Sequence, residues 1–175
     1  MKLLLVTILF VLLPSDNWID EAKERVKVLD LEAKFIKEKH ISHDFWEGTI
    51  TTYKLKKERL TVFNTFNSPV QDWTMNQKIY SRKNFVYADL VIMTAPHIYK
   101  GKSNIDLPVK LIIEENSYYK NKAEGFAFYR EIDCFEGQDE DSLMLELQKL
   151  EFEERPLIEV DYNTSERIPK QMNKF

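Results

Sequence analysis

The chain has 175 residues, a formal net charge of −4, 43% hydrophobic and 31% charged residues, and only 4 glycines and 6 prolines. That balance suits a single folded domain with an ordinary core and excludes a disordered, linker-rich or repetitive chain. An acidic chain with no basic stripe is a poor binder of nucleic-acid phosphates, so no nucleic-acid partner is expected.

The chain begins MKLLLVTILFVLL, in which Lys2 precedes an apolar run from Leu3 to Leu13 that Pro14 and Ser15-Asp16-Asn17 end. A membrane-crossing helix needs roughly 17–25 apolar residues, whereas a basic residue followed by a run of about 7–15 is the pattern of an export signal. Residues 1–15 are therefore expected to be a signal-peptide-like leader, 16–165 a single domain and 166–175 a flexible tail. The expected location is periplasmic, cell-surface or secreted. No A-x-A-like pair of small residues follows the run, so the alternative is a chain anchored in a membrane by an uncleaved N-terminus. Membrane contact is expected only through residues 1–13, and only if they are retained. The single cysteine, Cys134, rules out an internal disulfide.

After the Pro14 break, Ile19, Ala22, Val26, Leu29, Ala33 and Ile36 recur at three- and four-residue intervals and predict an amphipathic helix over Asp16–Lys39. Ser15, Asp16 and Asn17 are N-cap residue types, and Lys37, Lys39 and His40 suit the negative end of the helix dipole. From Phe45 onward the pattern turns to β. Thr49–Leu55 and Leu60–Phe66 predict a hairpin around Lys56-Lys57-Glu58, Trp73–Tyr80 a short strand, and Phe85–Met93 a strong one. Further strands are expected where Leu107, Val109, Leu111 and Ile113 alternate, over Phe126–Phe135, and around Ile158, Val160 and Tyr162. A short helix is expected over Leu143–Leu150, capped by Asp141 or Ser142.

Strands joined by short turns without intervening helices imply an antiparallel sheet. The expected fold class is α+β: an N-terminal amphipathic helix packed on a mostly antiparallel, strongly twisted sheet or open barrel of about six or seven strands, with a short late helix. In element order alone this is loosely similar to the half-barrel lipoprotein carriers of the bacterial periplasm.

Three constellations carry candidate chemistry. His40, His43 and Asp44 have a spacing that would bring two imidazoles together at a helix end and offer a metal or hydrolytic site. Trp46, Trp73, Tyr80, Tyr99, Tyr118 and Tyr119 are expected at strand ends or in loops, where amphipathic rings line ligand-binding surfaces. The acidic turn Glu136–Asp141 could offer oxygen ligands to calcium or simply cap the following helix. Cys134, with His97 or His40 as base, could in form be a nucleophile. It falls on the apolar side of a predicted strand among acids, which instead predicts a buried structural thiol. No cofactor is expected. The function these features favour is a non-enzymatic exported binding or interaction domain for a protein, lipid or glycan. The alternatives are a hydrolase near His40, His43 and Asp44, and a structural subunit retaining its hydrophobic N-terminus.

Overall fold

Helix α1 (Trp18–Glu32) buries one stripe, Ala22, Val26 and Leu29, as its apolar spacing requires. Eight strands follow: β1 (Lys34–His43), β2 (Trp46–Leu55), β3 (Glu58–Phe66), β4 (Thr74–Arg82), β5 (Phe85–Pro96), β6 (Lys110–Asn121), β7 (Glu124–Cys134) and, after helix α2 (Glu140–Leu147), β8 (Glu153–Leu157). They form one sheet in the order β1 to β8, each strand antiparallel to the next. This computed structural model describes residues 17–43, 46–66, 73–96, 108–158, 161–163 and 165, and the side chains of all but His43, Trp46 and Phe66 among them. The predicted leader and tail lie outside those residues, as do Asp44, His97 and Tyr99.

The α+β class and the antiparallel meander match the expectation, with one strand more than the upper count. The extra strand corrects the first helix. Asp16–Lys39 is not one helix, because α1 stops at Glu32 and Lys34–His43 is an edge strand. Ala33 turns to extended backbone (φ −68°, ψ 134°) while its N–H still donates to the Leu29 carbonyl at 3.0 Å. Apolar spacing continues through Ala33 and Ile36, so periodicity could not mark the stop. A tertiary partner sets it, since β1 pairs with β2 along nearly its whole length. Asn17 occupies the N-cap position but makes no side-chain capping bond.

The C-terminal third differs from the expectation in two smaller ways. The last strand is Glu153–Leu157, and Tyr162 lies in a helical turn at 161–163. In α2 the cap is Asp139, whose carboxylate accepts from the Ser142 N–H at 3.0 Å and hydroxyl at 2.7 Å. Those bonds hold the Asp139 carboxyl below the usual carboxylate range.

Register decides what each sheet face carries. Ile112 and Tyr118 are six apart in β6 and share a face. On that face α1 covers one end, burying Leu60, Tyr80, Tyr87, Ala88 and Tyr118, and α2 covers the other, burying Ile112, Cys134, Leu143 and Leu147. Ile112, not the Leu111/Ile113 pair, is thus the buried residue here. Between the helices the Arg130–Glu114 ion pair, at 2.5 Å, bridges β6 and β7, and Arg130 also donates to the Gln148 and Leu150 carbonyls. The opposite face holds a second core of Ile79, Val86, Tyr119, Ala127, Leu157 and Tyr162, and a third of Ile41, Ile50 and Phe63. Gly125 keeps β7 close to its neighbours, because a side chain there would strike the Tyr118 carbonyl and the Tyr119 ring. No helix among the described residues is long and apolar enough to cross a membrane.

Two hairpin turns use lysine where backbone sterics favour glycine: Lys56 at φ 53° and Lys83 at φ 56°. Lys56→Gly and Lys83→Gly are each expected to raise stability by about 0.5–1 kcal/mol, the relieved strain exceeding glycine's extra unfolded-state entropy. A higher urea midpoint would show this; an unchanged or lower one would mean that the turns are not strained.

Candidate functional site

Where α1 lies over the β2–β3 hairpin, the two do not close on each other. A groove of about 500 Å³ remains, lined by Val28, Leu29 and Leu55 together with Glu24, Arg25, Lys56, Lys57, Glu58 and Arg82. Its volume falls in the range of small-molecule sites, roughly 300–1,000 Å³. Local sequence explains the layout. Val28 and Leu29 end the apolar stripe of α1, and Leu55 closes β2 on the face that α1 covers. The tight turn then projects Lys56 and Lys57 at the mouth.

The polar wall is prearranged. The Arg25 guanidinium donates to both oxygens of Glu58, at 2.8 and 3.0 Å, and its Cζ lies 4.0 Å from the centre of the Tyr87 ring. The Arg82 Nε stands 3.6 Å from the same carboxylate. Burial, and next the neighbouring Glu58 carboxylate, push the Tyr87 hydroxyl well above the usual tyrosine range, so it stays protonated. Glu24 is held by Lys27 at 2.6 Å. With four cations against two carboxylates, both engaged, the groove joins an apolar floor to a positive rim.

A second polar assembly lies on the opposite face. Asp89 is buried there, accepting from the Gln77 amide at 2.9 and 3.0 Å and from Ser165. Ser165 and Tyr119 share a hydrogen bond of 2.9 Å, and Glu115 binds Ser117 and Arg155. Burial pushes the Asp89 carboxyl up to about 6, against the lowering effect of its Ser165 and Gln77 bonds. The carbonyl oxygen of Gln77 is buried without a hydrogen-bond partner. The groups of this cluster bond to each other.

The residues singled out from sequence do not converge. Tyr80, Tyr118 and Tyr119 are not surface rings but core, at 0%, 6% and 4% exposure, because β4 and β6 run on to Arg82 and Asn121 and carry them under the helix and the C-terminal turn. Tyr80 donates to Asp30 on α1 at 2.9 Å. Trp73 is half-buried just before β4, and Trp46 opens β2 opposite His43. His40 and His43 sit on β1 instead of at a helix end, and positions three apart on a strand fall on opposite faces. Among the described residues no group of three or more His, Cys, Asp or Glu could hold a metal ion. Cys134 is buried against α2, as its strand position suggested. Ser165 is buried on Tyr119.

The groove residues were missed in the sequence. Lys56 and Lys57 read as the solvated end of a hairpin, and nothing in spacing brings Arg25, Glu58 and Arg82 together. The chain matches no protein-family model, no curated protein and no solved structure.

Proposed function

We propose that this chain is a non-enzymatic, exported binding domain, and that its ligand is an amphipathic anion: an alkyl or aromatic body carrying a carboxylate, sulfonate or phosphate. The observation that carries the reading is the groove between α1 and the β2–β3 hairpin, with Val28, Leu29 and Leu55 beneath Arg25, Lys56, Lys57 and Arg82. An apolar body buried on that floor supplies affinity, while the rim cations fix the anionic end in a partly desolvated setting. Among the ligand classes expected from sequence, a lipid fits this chemistry better than an uncharged glycan. Export rests on the Leu3–Leu13 run, and mass spectrometry of the mature N-terminus tests it.

The probe for the groove is anilinonaphthalene sulfonate, displaced by dodecanoate. Saturable fluorescence enhancement is expected, lost on adding dodecanoate. Val28→Glu, at a residue 41% exposed, leaves the fold intact and is expected to weaken binding about tenfold or more, because it places a carboxylate on the apolar floor. Arg82→Gln is expected to weaken it less. Probe binding that is absent, or unchanged in Val28→Glu, would dispose of the groove as the site.

A further inference from the structure

Register places five cations on one corner of the sheet, on the face opposite α1. Lys34 pairs with Lys54, and Lys54 with Arg59, so three cations stand directly across adjacent strands. Lys37 and Lys39 continue the same face along β1, opposite Thr52 and Ile50. All five are exposed, and no Asp or Glu occupies a described position of that face on β1, β2 or β3. Like charges directly opposite one another destabilise a sheet. Lysine on an edge strand guards against edge-to-edge pairing, which accounts for β1. It does not account for Lys54 and Arg59, which lie on the second and third strands. In a chain of net charge −4, the row is a local excess of positive charge.

At the same corner, but on the α1 face of the sheet, where Phe35 pairs with Tyr53, the surface is apolar. Leu31 at the end of α1 is 85% exposed, Phe35 59% and Ile36 53%. Ile36 is the extra residue of a bulge between Phe35 and Lys37, which twists this end of the edge strand. Phe35 meets the Tyr53 ring edge-on at 6.1 Å, so the apolar patch runs onto β2, whose Leu55 floors the groove. Large apolar side chains flanked by lysines are the composition of a surface that settles into the headgroup region of an anionic leaflet.

We propose that the β1 corner docks edge-on against an anionic lipid bilayer, with Leu31, Phe35 and Ile36 entering the interface on the α1 side of the edge and Lys34, Lys37, Lys39, Lys54 and Arg59 reaching the headgroups from the other face. A soluble polyanion would use the cations but leave the three apolar side chains without a role. This docking does not depend on ligand binding in the groove, although it would set the groove mouth beside the membrane.

The experiment is co-sedimentation of the full chain with phosphatidylcholine vesicles, with and without about one-third phosphatidylglycerol. Preferential binding to the anionic vesicles is expected, falling as salt is raised. The Lys34→Gln/Lys54→Gln/Arg59→Gln variant is expected to lose that preference, at roughly fivefold per cation removed. Phe35→Ser/Ile36→Ser is expected to cut partitioning to anionic vesicles about tenfold or more. Both variants keep the Leu3–Leu13 run, so its own affinity for lipid cancels in the comparison. All substituted positions are exposed, and an unchanged urea midpoint confirms the fold. Two results would overturn the proposal: equal binding to neutral and anionic vesicles, or binding to heparin that Phe35→Ser/Ile36→Ser leaves intact while vesicle binding is absent. Dodecanoate displacement measured on the same variants stays normal if only the docking fails, which separates this proposal from the groove assignment.

Discussion

Asp89→Asn is expected to stabilise the protein at neutral pH by roughly 1–3 kcal/mol and to flatten its pH dependence between about pH 6 and 4. Asp89 lies on β5 with 5% exposure, and burial lifts its carboxyl from the ordinary 3.8 to about 6. The folded protein therefore binds this proton more tightly than the unfolded chain does. The stability the group contributes is fully present below about 3.8 and is lost as pH rises through about 6. A carboxyl ionising near 6 instead of 3.8 withholds roughly 3 kcal/mol at neutral pH. Asparagine removes the ionisation, and its amide can donate to the Gln77 carbonyl oxygen, which is buried without a partner in the wild type. It would still accept one of the bonds that Gln77 and Ser165 now give the carboxylate, and losing the other sets the lower bound of the range.

The groups around Asp89 support assigning the pH dependence to it. Glu115 on β6 adds a raising contribution. Its own carboxylate is tied to Arg155 at 3.1 Å, and Arg155 also stands 3.6 Å from Asp161. Tyr119 is pushed up to about 12 by burial and stays neutral throughout the window. Urea unfolding at about pH 7.5 and 4.5 gives the test. Wild-type stability should rise relative to the variant on acidification. A variant that is less stable at neutral pH, or parallel pH profiles for the two proteins, would show that Asp89 is not held as a strained carboxylate.

Sequence patterning reached the fold class and most of the sheet because the information there is local. The β2–β3 hairpin could be read from two Thr-, Tyr- and Phe-rich runs around Lys56-Lys57, and the order of β4, β5 and β7 from alternation broken at turns. What failed was what depends on a partner. The stop of α1 is set by the edge of β2, and Ala33 and Ile36 prolong the helical spacing past it. The Leu107/Val109/Leu111/Ile113 alternation pointed to the wrong face at the start of β6, because Ile112 meets α2, and no residue in β6 announces α2. Tyr80, Tyr118 and Tyr119 read as binding rings because the strands holding them were drawn too short. The groove and the cationic corner are both products of register. Lys34, Lys54 and Arg59 are ordinary surface residues in the chain and a row only once three strands align.

Tyr162→Ala is expected to cost about 3–5 kcal/mol, the loss typical of a large aromatic removed from a packed core. Tyr162 follows the last strand, in a stretch whose sequence (Ile158, Val160, Tyr162) suggested a further strand. It is fully buried instead, closing the sheet face that carries no long helix. Its ring stacks on Phe85 at 5.7 Å and meets Tyr119 edge-on at 5.3 Å, while its hydroxyl accepts the Val86 N–H at 3.3 Å. The turn that presents it is fixed locally, since Asp161 accepts from the Ile158 N–H at 2.9 Å and the Tyr162 N–H donates to the Ile158 carbonyl at 3.3 Å. One side chain thus spans β5 and β6 and links the turn after β8 to Val86, 76 positions earlier. Removing it opens a cavity against Ile79, Val86 and Leu157, and it loosens the segment that holds Ser165 over Asp89. Tyr162→Phe keeps the stacking and gives up only the bond to Val86, so it should cost about 1 kcal/mol. The pair of variants separates packing from hydrogen bonding. A loss below about 1 kcal/mol in Tyr162→Ala would mean that the turn after β8 is not part of the cooperative core.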